Sequence, residues 1–398
     1  MADETPAAYT LPTEREHPFD PNADLTRLRD TEPVARLAFP DGHLGWLVTK
    51  LSTGRAVLTD PRFSARPQLL HFPVEPPLPP RPEPPRPGWM SRMDPPDHTR
   101  YRELITAEFS TRRLRRLEPR AAETAESLLD EIELAGPPAE LVGAYALPIP
   151  SLVISELLGV PEAEREEVRC HTQALARPTT GPDEAAQIVR ALGEYVRGLV
   201  GRKRAEPGDD AMTGLVAGGR LTDEEMANIG ALLLITGHQT TAHMIALGVY
   251  ALLYHPEQLE KFTANPASAD RAVEELIRYL AVVETGISRA ALEDVELEGR
   301  LIKKGETVTV WISTANRDPE VFENPDTLHL ERTASGHMSF GYGVHQCVGQ
   351  QLARLELRVA YTCLFNRFPG LRLAVPADEV PLRAAGAVHG VESLPVIW

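Results

Sequence analysis

The chain has 398 residues, 42% of them hydrophobic, enough to bury a large core without disulfides or structural metals as staples. Its formal net charge of −16 excludes the basic footprint of a nucleic-acid binder and favours solubility. The opening residues, MADETPAAYT, show no signal-peptide pattern. The longest apolar stretch, around residues 229–235, is far short of the roughly 20 residues a membrane span needs, so a soluble cytoplasmic protein with no membrane partner is expected. Three cysteines, Cys170, Cys347 and Cys363, are too few and too scattered for a disulfide framework.

In chain order, Gly45-Trp46-Leu47-Val48-Thr49 predicts a strand and residues 55–58 the start of a short helix. Residues 67–96 are rich in proline, including PPLPPRPEPPRP, and read as an extended polyproline loop. An interdomain linker is the alternative, although nothing beyond it looks like a fresh start. From Asp97 the chain is mostly helical, with apolar periodicity over 98–109, 117–134, 152–158, 182–204 and 222–254. Thr222-Asp223-Glu224-Glu225 is a capping box that opens the last of these, and Pro256 closes it. A helix of about 32 residues, roughly 48 Å, must cross a whole domain. Strand-like segments follow at 295–297, 301–302 and 307–312, with turns at Glu298-Gly299 and Lys304-Gly305. A last long helix runs from near Cys347 to about Phe368. The expectation is one domain over 1–398, with a β-rich part near 30–60 and 290–315 and a helical part near 97–285 and 347–368.

The segment Phe340-Gly341-Tyr342-Gly343-Val344-His345-Gln346-Cys347-Val348-Gly349 carries the most chemistry. A cysteine alone is usually a small apolar side chain. This one sits in a glycine-rich loop where a helix begins. Gly341 and Gly343 permit tight turns with positive φ, and Gly349 lets the backbone approach a flat ligand. Free amides and partial positive charge at a helix start favour a thiolate. Elsewhere, Glu275 and Arg278 are three apart on a predicted helix and can pair. His98 and Arg102, four apart, share a helical face. The run Thr111-Arg112-Arg113-Leu114-Arg115-Arg116 is basic in an acidic protein.

Phe340-x-x-Gly343-x-x-x-Cys347-x-Gly349 resembles the haem-binding signature of the cytochrome P450 family, and the likeness extends from about Trp46 to the terminal Trp398. It implies a mainly α fold with a small β subdomain. It implies haem b (iron protoporphyrin IX) with Cys347 as axial ligand, O2 as oxidant, and electrons from NAD(P)H through ferredoxin and ferredoxin reductase, since no fused reductase domain is seen before Trp398. Phe340, Gly341, Gly343, His345 and Gly349 then belong to the haem loop, and His98, Arg102, Arg289 and His345 contact the propionates. Glu275, Arg278 and Arg332 hold the haem side of the fold, although Leu328 and His329 depart from the usual residues before Arg332. The stretch RYLAVVETGISRAALEDVELEG looks especially like actinobacterial members that oxidise secondary metabolites.

The resemblance also assigns Thr236-Gly237-His238-Gln239-Thr240-Thr241 to the oxygen site. Gly237 leaves room for dioxygen, and Thr240 bonds the oxygen or its neighbouring water. Gln239 stands where an acid is usual. A carboxamide cannot titrate, so protons are expected to pass through Thr240, Thr241 and water with Gln239 as positioner. Implied substrate contacts are Leu232, Leu233, Thr236, Val283, Gly286 and Val388, with the proline-rich loop before Met93 and the helix around 170–195. The basic run is the implied docking face for an acidic ferredoxin. The implied activity is hydroxylation or epoxidation of a mid-sized lipophilic molecule by a monomeric enzyme. The alternatives are oxidative coupling or dehydrogenation, and a non-catalytic haem protein that recruits others.

Overall fold

The structure is a computed structural model that describes residues 8–12, 15, 17–74, 85–177, 180–383 and 388–398. Part of the proline-rich run, residues 75–84, lies outside the described residues.

Six strands form a sheet at one side: β1 (Tyr9–Thr10), β2 (Val34–Ala38), β3 (Leu44–Val48), β4 (Phe63–Ser64), β5 (Ile287–Ala291) and β6 (Thr307–Val310). Their spatial order is β1–β2–β3–β6–β5–β4. The β2–β3 pair is a hairpin in which Arg36 faces Trp46, and the guanidinium lies 4.0 Å from the indole centroid. β3 runs parallel to β6, with Trp46 opposite Val308. β5 runs antiparallel to β6 and sets Arg289 opposite Val308. Its buried arginine thereby faces into the molecule rather than to solvent.

The helical part holds α1 (Asp97–Glu108), α2 (Thr111–Ala135), α3 (Pro148–Leu158), α4 (Pro182–Ala205), α5 (Asp223–Thr236), α6 (Gln239–Tyr254), α7 (Ala269–Leu280) and α8 (Gln350–Arg367). None of the described helices is long and apolar enough to cross a membrane. α2 begins six residues before the predicted 117 and carries Pro119 inside it. The carbonyl that this proline leaves unpaired belongs to Arg115, which is exposed, so water can take it.

The capping box of α5 forms as expected: the Thr222 hydroxyl accepts from the Glu225 amide at 3.2 Å, and the Glu225 carboxylate accepts from the Thr222 amide at 2.7 Å. Arg100 and Tyr101 of α1 also donate to Glu225, at 2.6 and 2.8 Å, so the cap ties α1 to α5. Arg100 is the main reason that this carboxyl is held down to about 2. α4 closes on α5 at Gly230, where a methyl group would meet Val196 at 2.5 Å. The Tyr361 hydroxyl donates to the Met244 carbonyl at 2.6 Å and fixes α8 beneath α6.

The single helix predicted for 222–254 is two helices. The α-helical ladder stops at Thr236 and resumes at Gln239. Three local features account for the break. Gly237 weakens the helix. The Thr236 hydroxyl bonds back to the Leu232 carbonyl at 2.8 Å. His238, fully buried, binds the Leu147 carbonyl at 3.1 Å across the molecule. Burial pushes its imidazole down to about 4, so the neutral ring donates from Nε2.

Candidate active site

The loop before α8 is closed by its own backbone. The Cys347 amide donates to the Phe340 carbonyl at 2.8 Å, and the Gln346 amide to the Gly343 carbonyl at 3.0 Å. Gly341 and Gly343 have φ of +72° and +73°, the left-handed region, and a Cβ on Gly343 would meet the Leu58 carbonyl at 2.5 Å. The loop thus requires the two glycines the sequence offers. Phe340 is clamped by the Arg354 guanidinium, 4.5 Å above its ring, and Arg354 is held by Glu274 at 2.7 Å.

Above the loop is a cavity of about 430 Å³, floored by Cys347, Val348 and Gly349 and roofed by the α5–α6 break. The Cys347 side chain opens onto this space although it lies deep in the molecule. Burial pushes its thiol up, while the Gly349 amide, Arg102 and Arg354 pull the other way.

One end of the cavity gathers positive charge. Arg289 and His345 line it, and the His98 ring centroid lies 4.2 Å from that of His345. Arg102 donates to the Gln346 carbonyl beside them. These groups act against one another. His345 is pushed down to about 3 by burial, then by the charges of Arg289 and His98. His98 is lowered by burial, then by Arg102 and Arg289. Burial lowers Arg289 to about 10. The near carboxylate, Asp94, is already bonded to Ser64, Ala65 and Arg66. His98 Nδ1 is buried without a hydrogen-bond partner. Two clustered guanidiniums, Arg102 and Arg289, beside imidazoles kept neutral, one of them with an unsatisfied ring nitrogen, are a site for an anionic group. A flat cofactor with a soft-ligand metal and two carboxylates fits this cavity: thiol below, cations at one end, glycine at the loop.

Behind the cavity, Glu275 and Arg278 are both fully buried and joined by two bonds of 2.7 and 2.8 Å. Arg332 donates to Glu275 at 3.0 Å, and Arg278 also donates to the Asn316 and Pro325 carbonyls at 3.0 and 2.9 Å. The structure therefore brings Glu275, Arg278 and Arg332 into one network despite Leu328 and His329.

Of the residues expected at the oxygen and substrate sites, Leu233, Thr236, Gly237, Thr240, Thr241 and Val283 line the cavity. Thr240 reaches back to the Thr236 carbonyl at 3.5 Å. Others stand off it. Leu232 is in the core. Gly286, at φ +64°, backs onto Thr309 and Val310, where a Cβ would lie 2.6 and 2.9 Å from their atoms. Val388 forms an isolated antiparallel bridge with Val283 and packs against the core. Gln239 is half-buried at the start of α6 and is not among the residues lining the cavity. No residue of the helices around 170–195 reaches the wall among the described residues, whereas Ser91 of the loop before Met93 does.

The sequence reading missed Glu356. It is a buried acid of α8 that lines the cavity. The signal was present: a charged residue in an otherwise apolar helical stripe with Leu352, Val359 and Ala360.

The family profile described as Cytochrome P450 matches residues 267–382. Cytochrome P450 105C1 of a Streptomyces species is 47% identical over 393 residues, covering 98% of this chain and 99% of that protein. Pentalenic acid synthase of Streptomyces avermitilis is 42% identical, with 98% of each chain covered. The solved structure of Streptomyces peucetius CYP105P2 in complex with a biphenyl compound superposes with a TM-score of 0.90 at 39% identity, covering 99% of this chain and 100% of that one.

Proposed function

The chain belongs to the cytochrome P450 family, and from that premise we propose that Cys347 would ligate its haem iron and that the enzyme hydroxylates or epoxidises a mid-sized lipophilic secondary metabolite. Membership makes the protein a monooxygenase, an oxidoreductase that uses haem iron and O2 and receives reducing equivalents through redox partners. The observation that carries the residue assignment is the joint geometry of one cavity: a cysteine at its floor, a cation cluster at one end, and a broken helix with two threonines over it.

Bound haem supplies dioxygen activation, and a thiolate on its iron favours O–O cleavage. The chain's residues do the rest. His98, Arg102, Arg289 and His345 would hold its carboxylates, whose charge would offset that of the two guanidiniums. Phe340, Gly341 and Gly349, which line the cavity, would let the loop lie against the ring. Thr240 and Thr241 present hydroxyls to the space over the floor and orient water there. Leu233, Val283 and Met244 line the wall and exclude bulk water. Both threonines on the wall support catalysis over the alternative of a non-catalytic haem protein.

An apolar wall favours an apolar substrate, in keeping with the biphenyl ligand of the one relative and the pentalenic acid for which another is named. Optical titration of the ferric protein against macrolides, terpenoids, steroids and polyenes is expected to give a low- to high-spin shift with one such class. A shift only with hydrophilic compounds would overturn the substrate assignment.

The proposal includes a cytoplasmic monomer served by ferredoxin and ferredoxin reductase. The basic start of α2 supports the docking site, although its arginines are not equivalent. Arg113 is bonded to Glu108 at 2.7 Å and Arg116 to Asp209, so their charges are spent internally. Arg112 and Arg115 are exposed and form no ion pair among the described residues. The double variant Arg112→Glu, Arg115→Glu is expected to raise the KM for ferredoxin by about tenfold or more while leaving the spin-state titration unchanged. An unchanged KM would move the docking site elsewhere.

A further inference from the structure

Glu274 precedes the buried Glu275 on α7 but serves a different set of partners, those around the cysteine loop. Its carboxylate accepts from Arg354 Nε and Nη2 at 2.7 and 2.9 Å and from His337 Nε2 at 3.1 Å. The Ser339 amide donates to His337 Nδ1 at 3.1 Å, which leaves the ring proton on Nε2, pointed at Glu274. Arg354 Nη1 donates to the carbonyl and side-chain oxygens of Gln350 at 3.2 and 3.1 Å. All three nitrogens of the guanidinium are thus bonded, and its central carbon lies 4.5 Å from the centroid of the Phe340 ring. The Phe340 carbonyl in turn accepts from the Cys347 amide at 2.8 Å.

Stability does not account for this much order. Glu274 and Arg354 line an open groove of about 590 Å³ between α2, α7 and α8, and their side chains are 23% and 24% exposed. Ion pairs wetted on one side contribute little to folding. What the network fixes is the place of one positive charge, and that charge, with Arg102's, reaches Cys347. Burial raises the Glu274 carboxyl, yet the bonds from Arg354 and His337 hold it down to about 2, so a negative charge always accompanies the positive one.

We propose that Glu274 and His337 are positioning residues that hold Arg354 over Phe340, and that the charge so placed sets the reduction potential of the bound haem. This rests on Cys347 as the ligand of the iron, proposed above. On reduction one electron enters from the redox partner, ferric iron becomes ferrous, and the site gains one unit of negative charge; no proton need move. A fixed cation near the sulfur favours the more negative state, and Glu274 moderates that preference.

Reductive titration of the substrate-free holoprotein against redox dyes tests this. Arg354→Gln removes the cation and is expected to lower the equilibrium constant for reduction about tenfold, or about 59 mV for a one-electron couple. Glu274→Gln removes the moderating anion and is expected to raise it about threefold, a smaller effect because Glu274 touches Arg354 rather than Phe340 and water in the groove screens it. Arg354→Lys keeps the charge and is expected to stay within about threefold of wild type. Shifts of one sign in Arg354→Gln and Glu274→Gln, the mark of a merely loosened loop, would overturn the proposal. So would no shift in either, or a Lys variant as low as the Gln variant. The carbon monoxide spectrum is recorded for each protein. A thiolate band lost only in the variants would show that the clamp holds the loop together instead, and would also overturn the proposal. A wild type without that band refutes the reading of Cys347 beneath it, whereas unmoved potentials under an intact band refute the clamp alone.

Discussion

Cys347→Ala is expected to abolish monooxygenase turnover, by more than roughly a thousandfold, or more than about 4 kcal/mol of barrier. The chain should still fold. The side chain opens onto the cavity instead of filling the core, and the loop is closed by backbone bonds that the substitution leaves intact. What is lost is the sulfur donor at the floor, and with it the electron density that favours O–O cleavage. Cys170→Ala and Cys363→Ala are the controls, since one is at the surface and the other half-buried away from the cavity. Product formation with ferredoxin, reductase and NADPH is the measurement. Turnover retained in Cys347→Ala, or lost equally in the controls, would remove Cys347 from its assigned place.

Glu275→Gln is expected to destabilise the fold by about 3–5 kcal/mol, because it strands the buried Arg278 charge in a medium that cannot solvate it. The guanidinium would keep its two carbonyl acceptors at Asn316 and Pro325 but lose the carboxylate that neutralises it. Arg332→Ala should cost less, since Arg332 is 12% exposed and water can replace part of its contact with Glu275. Equilibrium denaturation of the holoproteins, with haem content measured alongside, gives both values. A Glu275→Gln variant as stable as wild type would show that the network is not what holds α7 to the segment around Asn316 and Pro325.

The sequence made the loop 340–349 legible because its glycines and cysteine are fixed in spacing and need no distant partner to be recognised. The Glu275–Arg278 pair was legible for the same reason. Arg332 was not, except through resemblance, because 54 residues separate it from Arg278 and only the fold brings its guanidinium to Glu275. The break at Gly237-His238 was hidden: apolar periodicity continues on both sides, and the bond that holds His238 goes to Leu147, in another helical turn of the fold. Gln239 drew attention as an unusual residue in a known pattern, yet which wall a side chain faces depends on the helix phase, and the break resets that phase. Glu356 went unnoticed because an acid in a long helix reads as solvent-facing until the packing of α8 is known. Arg113 and Arg116 look as free in sequence as Arg112 and Arg115; only Glu108 and Asp209, placed by the fold, distinguish them.

The absorption spectrum of the reduced, carbon monoxide-bound protein tests the central claim most directly, because the Soret position reports the ligand on the far side of the iron. The account predicts the strongly red-shifted band of thiolate ligation in the wild type, and its disappearance in Cys347→His. A wild-type band at the position seen for histidine-ligated haem would contradict it.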